Sequence, residues 1–276
     1  MTTTTLTATT LTATTPTGPV VVGVDGSTSA EYAALWAAKE AVVRNAVLRL
    51  VYAADEDDTD INQTMAEART ALHRAWEAVT DTGAEVKLES EILFGEPVDC
   101  LVAASRGASM LCVGAGEGRG ATSAALAKRA AGPVAVIRRR TPEPLSLRKW
   151  IVVVLDETDS ALDALRAAMR EAGLRDAPVL VLESWSHGRH TDTANTARHP
   201  VRTVLEEYLT GPGASVDVQL STLPMPTHLL HLLHQCVSID QLLVVAADHH
   251  ALVEELTSPR AREILRGTDC SLLFTR

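Results

Sequence analysis

Aromatic residues are scarce in this chain: two Phe, three Tyr and four Trp make up 3% of 276 residues. With a hydrophobic share of 46%, the core has to be packed from Val, Leu, Ile and Ala. No apolar stretch reaches the roughly 18 residues that a membrane-spanning helix needs. Positive charge is also in short supply. A formal net charge of −10 and a pI near 5.4 exclude nucleic acid as a partner, because that role requires a basic footprint. Four cysteines, Cys100, Cys112, Cys236 and Cys270, show no CxxC spacing and read as small core residues in a reduced cytoplasmic setting. The Thr-rich residues 1–17 lack the basic start and apolar core of a secretory signal and read as a disordered tail. G-x-S-x-G is absent, so Asp25-Gly26-Ser27 reads as a helix cap rather than a nucleophile turn, and no catalytic constellation stands out.

What the chain does have is a repeat. The run VVVGVDGS from Val20 to Ser27 returns as IVVVLDETDS from Ile151 to Ser160, a buried strand ending in an acid and a small-residue turn. A spacing of roughly 130 residues points to two copies of one domain. The expected division is a tail at 1–17, a first domain at 18–140, a linker at 141–148 and a second domain at 149–276.

Continuous β-branched runs mark buried strands, and helical apolar spacing marks the segments between them. The first copy is expected to have strands at Val20–Asp25, Val47–Ala53, Val86–Leu93, Met110–Gly114 and Val134–Ile137. Its helices start at Thr28 (with Glu31 in capping-box spacing), run from Glu67 to Val79, open at Pro97, and span Ser123–Ala131. The second copy repeats this with strands Ile151–Leu155, Val179–Glu183, Val216–Leu220, Leu242–Ala246 and Leu272–Phe274. Its helices are expected at Ser160–Glu171, Val201–Leu209, Thr227–Cys236 and Ala261–Arg266. Strict alternation requires right-handed parallel crossovers, so the fold class is α/β: two tandem open five-stranded parallel sheets.

In such sheets ligands bind beyond the carboxyl ends of the strands, where strand order reverses. That directs attention to Asp25-Gly26-Ser27 after strand one and to Gly114, Gly116, Gly118 and Gly120 after strand four, with Thr122 and Ser123 adjoining. Glycines let backbone amides approach an anion, and the following helix start adds positive potential. The loop is not a Walker A motif, since Lys128 lies inside the next helix. Gly116, Gly118 and Ala121 fit G-x-G-x-x-A, but after strand four rather than strand one. A Gly-rich turn that binds nothing is the alternative. Asp55-Glu-Asp-Asp58-Thr-Asp60 begins where strand two ends. It is either a solvated acidic loop or a source of repulsion for polyphosphate that Mg²⁺ would have to relieve.

The second copy keeps an acid at Asp156, but Ala246-Ala-Asp248-His249-His250-Ala251 offers no glycine and puts a negative charge where phosphate would sit. It also holds His187, His190, His199, His228, His231, His234, His249 and His250, against His73 alone in the first. These suggest either solvent-facing side chains or a metal or pH sensor.

Taken together, VGVDGS at Val22–Ser27, Phe94-Gly-Glu-Pro97 before a helix, Leu111-Cys-Val-Gly114, and Val134-Ala-Val-Ile137 after Gly132-Pro133 resemble the universal stress protein family. The resemblance spans about residues 19 to 139 and 149 to 276 and is stronger in the first copy. It implies a non-catalytic, cytoplasmic stress-response protein. Members of that family that bind ATP use the strand-one Asp and the strand-two backbone near the adenosine, and a loop of the form G-x2-G-x9-G-(Ser/Thr) for the phosphates. Carried over, this assigns Asp25 and Ala53 to the adenosine and Gly114, Gly116, Gly118, Gly120, Thr122 and Ser123 to the phosphates. The loop here is shorter than the pattern and has Ala121 after its last glycine, which suits a diphosphate or monophosphate. The cofactor that the resemblance itself implies is ATP, with or without Mg²⁺, in the first domain only.

The resemblance also implies pairing through strand-five edges. Val134–Ile137 and Ser271–Thr275 would join the copies as an internal pseudo-dimer, and a homodimer of chains is expected as well. A dimeric scaffold working without nucleotide is the competing reading.

Overall fold

The computed structural model describes residues 18–56, 60–116, 120–138, 149–155, 160–183, 218–222, 229–235 and 240–276. The expected tail at 1–17, the linker at 141–148, the helix at Val201–Leu209, and the residues Gly118, Asp156 and Cys236 lie outside them.

In the first half of the chain β1 (Val20–Gly23), β2 (Leu48–Ala54), β3 (Leu88–Phe94), β4 (Met110–Gly114) and β5 (Val134–Ile137) alternate with α1 (Thr28–Val43), α2 (Ile61–Thr80), α3 (Pro97–Ala104) and α4 (Gly120–Arg129). The second half supplies β6 (Lys149–Leu155), α5 (Ala161–Arg175), β7 (Val179–Glu183), β8 (Val218–Thr222), α6 (Leu229–Gln235), β9 (Asp240–Ala246), α7 (His250–Thr257), α8 (Pro259–Leu265) and β10 (Cys270–Thr275). The β-branched runs form the central strands: Val20, Val21, Val22, Ile151 and Val153 are fully buried.

Several local expectations need correction. Ser27, not Thr28, caps α1, accepting from the Ala30 amide at 3.2 Å, and Glu31 pairs with Arg74 at 2.7 Å instead of closing a capping box. The buried stripe of α1 is alanine, from Ala30 through Ala33, Ala34, Ala37 and Ala38 to Ala41, while Tyr32, Leu35 and Trp36 lie half-buried beside it. α2 starts well before Glu67. Asp60 caps it by accepting from the Asn62 and Gln63 amides, both at 3.1 Å, and its first buried residues, Thr64 and Ala68, are too small or polar to register as an apolar pattern. α7 was not anticipated at all; it is capped by His249, whose Nδ1 accepts from the Leu252 amide at 3.3 Å.

The two five-stranded sheets join into one of ten strands, through the strand-five edges expected to pair the copies. Strand order is β3-β2-β1-β4-β5-β10-β9-β6-β7-β8, parallel throughout except where β5 meets β10. There Ala135 faces Leu273 and Val134 faces Phe274 in antiparallel register. The edges expected to join the copies are therefore spent on each other inside one chain, with β3 and β8 as the outermost strands among the described residues. Any association of two chains must use another surface.

One face of the sheet carries α1, α2 and α5, and the other carries α3, α4, α6, α7 and α8, each over a core continuous across both halves. The halves repeat at constant spacing, which relates Asp25 to Asp156, Ser29 to Ser160, Glu40 to Glu171, Arg44 to Arg175 and Asn45 to Asp176. Asn45 and Asp176 end their helices in the left-handed conformation, φ 50° and 49°, which short polar side chains tolerate.

Where α1 and α5 meet, Glu40 and Arg44 of one helix and Glu171 and Arg175 of the other form a closed ring of ion pairs. Arg44 reaches Glu171 at 2.5 Å, and Arg175 binds Glu40 across the same seam. The four side chains are 3–12% exposed. The Arg175 guanidinium also lies 5.2 Å from the centroid of the Trp36 ring. Burial, reinforced by the charge of Glu171, pushes the Glu40 carboxyl above its ordinary range. No helix among the described residues is long and apolar enough to cross a membrane.

Candidate functional site

The sheet reverses its order between β1 and β4, and the segments leaving those two strands meet there. β1 ends at Gly23, and the chain turns through Gly26, whose φ of +79° only glycine adopts without strain. Asp25 closes the turn: its Oδ1 accepts from the Ser27 amide at 2.9 Å and from the Ser27 hydroxyl at 2.5 Å. The Ser27 hydroxyl lies 2.9 Å from that of Ser29, so a short polar chain leads from Asp25 to the first turn of α1.

β2 outlasts β1. The Val24 amide donates to the Val51 carbonyl at 2.8 Å, the last bond between the two strands, while Tyr52 to Ala54 remain paired with β3. Backbone groups in a strand alternate sides, so those of Ala53 face the β1 side, beyond the point where β1 stops. The Asp25 turn and the Ala53 backbone thus border the same end of the sheet.

From the other side comes β4. A Cβ added at Gly114 would sit 2.4 Å from the Ser29 carbonyl carbon and oxygen. This glycine lets β4 pack directly on the backbone of α1, a packing role that its place at the head of a Gly-rich loop does not reveal. Gly116 is different. A Cβ there would lie 3.1 Å from the Ser29 Oγ, facing open space lined by Ser29, Ala115, Gly116 and Ser123. Gly120 starts α4, which places Thr122 and Ser123 in its first turn, with Ser123 buried and on the cavity wall. Of the acidic run, Asp60 is spent on capping α2, and Asp55 and Glu56 are exposed.

The equivalent position in the second half is closed. The Ala115 amide donates to the Ile137 carbonyl and the Ala247 amide to the Thr275 carbonyl, both at 2.9 Å, which aligns the two loops and puts Asp248 where the first half has Gly116. Asp248 accepts a hydrogen bond from Ser160, the counterpart of Ser29. A carboxylate therefore fills the space that Gly116 leaves open.

The histidines do not converge among the described residues. His234 contacts the Ile264 carbonyl at 3.2 Å, His249 caps α7, and His73 lies 3.2 Å from Glu77. No group of three or more His, Cys, Asp or Glu able to hold a metal occurs among the described residues. His187, His190, His199 and His228 lie outside them. Cys100, Cys112 and Cys270 are buried free thiols, as small core residues should be; burial pushes the Cys112 thiol well up.

The cavity, about 490 Å³, continues past Gly116 and Ser123 to residues that sequence reasoning did not select. Arg138, at the end of β5, and Arg262 and Arg266, from α8 and its C-terminal end, form its far wall. In the sequence Arg138 falls at the end of the first domain, with nothing to mark it as a site residue. Only the β5–β10 pairing brings it beside α8.

The model of the universal stress protein family matches residues 17–138. A universal stress protein of Mycobacterium tuberculosis is 33% identical over 267 residues, covering 93% of this chain and 96% of its own length. Another from the same organism is 34% identical over 268 residues, covering 92% and 94%. Among solved structures, a universal stress protein from Archaeoglobus fulgidus superposes with a TM-score of 0.69 at 15% identity, covering 94% of this chain and 96% of that one.

Proposed function

The chain belongs to the universal stress protein family, and on that premise we propose that its first copy binds one adenine nucleotide while its second copy binds none. The observation that carries this reading is the contrast between Gly116, open beside Ser29, and Asp248, closed onto Ser160. A phosphate group needs backbone amides, hydroxyls and a helix start with no carboxylate among them. The first copy supplies Gly116 and Gly120 with Thr122 and Ser123; the second supplies Asp248.

In this proposal Asp25 accepts from a ribose hydroxyl, for which its turn already fixes the carboxylate. The Ala53 backbone, unpaired by β1, offers a donor and an acceptor to the adenine edge. The short loop favours AMP or ADP over ATP extended with Mg²⁺. The role is that of a cytoplasmic, non-catalytic stress-response protein that changes its surface with nucleotide occupancy.

Isothermal titration with AMP, ADP and ATP, with and without Mg²⁺, tests it. Wild type gives saturable binding. Gly116→Asp, which installs the second copy's residue in the first, lowers affinity about 100-fold or more, since like charges brought together cost several kcal/mol. The Ser29 hydroxyl can rotate away from the new side chain, so the variant folds. Absence of heat in wild type, or unchanged affinity in Gly116→Asp, rejects the reading.

A further inference from the structure

The cavity does not stop at the first copy. Its far wall carries three guanidinium groups, Arg138, Arg262 and Arg266, against a single carboxylate, Glu263. Arg138 and Arg262 make no ion pair within 4.0 Å among the described residues, and two of their nitrogens, Arg138 Nη1 and Arg262 Nε, are buried without a hydrogen-bond partner. Burial, with the like charge of Arg262 adding to it, draws the Arg138 guanidinium below its ordinary value. Buried polar nitrogens without partners are uncommon in native proteins, and buried cations still more so. Arg138 and Arg262 also line a cavity of ligand-binding size, where an anion would answer their charge.

The anion has a direction of approach. Ser29, Gly116 and Ser123, assigned above to the phosphate end of the nucleotide, form the near wall of the same cavity. We propose that α8 of the second copy completes the first copy's nucleotide site, with Arg262 and Arg266, joined by Arg138 at the seam, receiving the terminal phosphate. The copy that has lost its own site thus serves the other. The ligand class is narrowed to adenine nucleotides whose phosphate reaches across the β5–β10 seam, and occupancy ties the two halves together at that seam. Guanidinium groups bind phosphate oxygens in bidentate fashion.

This proposal rests on the nucleotide reading, and one experiment separates their fates. Adenosine, AMP, ADP and inorganic pyrophosphate are titrated into wild type, Arg262→Gln and Arg266→Gln. Arg266 is exposed, so its substitution leaves the fold intact; circular dichroism and melting of the free proteins verify this for both variants. The expected result is a loss of about 10- to 100-fold in affinity for AMP or ADP in the arginine variants, with adenosine unaffected. Nucleotide binding that is equal in wild type and both variants overturns the shared site and leaves the nucleotide reading standing. Arg262-dependent binding of pyrophosphate without any binding of adenosine or AMP keeps the anion site and removes the nucleotide reading. Silence toward all four ligands removes both.

Discussion

Arg44→Met tests the ring of charges between α1 and α5. The substitution keeps the aliphatic length of the side chain but leaves Glu40 and Glu171 sharing Arg175 alone. Both carboxylates are nearly sealed, at 6% and 3% exposure, so water does little to screen them. Removing one partner from a buried ion pair costs about 3–5 kcal/mol, because a dehydrated charge is left uncompensated. For a chain of this size that lowers the melting temperature by about 6–20 °C. The loss depends on pH in a defined direction. The Glu40 carboxyl is raised in the folded state by burial and by Glu171, so its contribution is complete below the unfolded value of 4.5 and is lost as pH climbs through the folded value. The deficit of Arg44→Met, measured by urea denaturation, is therefore largest at neutral pH and shrinks as pH falls toward 4.5. Replacing all four charges together (Glu40→Leu, Arg44→Met, Glu171→Leu, Arg175→Met) restores the stability lost in the single variant, since an apolar seam needs no dehydration of ions. A single variant within about 1 kcal/mol of wild type, a threshold far below the buried-pair range, or a deficit that grows on acidification, refutes the reasoning.

Two further outcomes follow from the same structure. Glu40→Gln removes the carboxyl whose folded value is raised, and its amide nitrogen cannot accept from the arginine that the lost oxygen bound, so it flattens the rise in stability that wild type shows on mild acidification; an unchanged pH profile contradicts this. Gly114→Ala forces backbone at Ser29 to move and costs about 1–3 kcal/mol or more, whereas Gly116→Ala meets only a rotatable hydroxyl and costs less. Equal denaturation midpoints for the two alanine variants contradict the packing role of Gly114.

The fold was legible because the strands are continuous β-branched runs and because the chain states them twice. Val134–Ile137 and Val179–Glu183 have the same bounds in sequence and structure, since no other element could use those residues. The helices were less visible. α1 packs through alanines and buries a glutamate, a pattern that hydrophobic periodicity misreads in favour of Tyr32, Leu35 and Trp36. α7 was hidden by a polar start, where His249 acts as a cap. Asp25, Gly116 and Ser123 are candidates in the sequence because each lies just past a strand end or near a helix start. The close packing of Gly114 on Ser29 is visible only in three dimensions. The arginines of the far wall were out of reach, because Arg138 and Arg262 become neighbours only through the antiparallel pairing of β5 with β10. Pairs such as Glu40 with Arg175 are equally long-range, and each residue alone looks like part of a solvated helix face.

The most direct test of an asymmetric pair of copies is a count. Native mass spectrometry of the full chain at saturating AMP or ADP reads the number of nucleotides bound per chain. One per chain, falling to none in Gly116→Asp, is the predicted result. Two per chain, or one that survives Gly116→Asp, contradicts it.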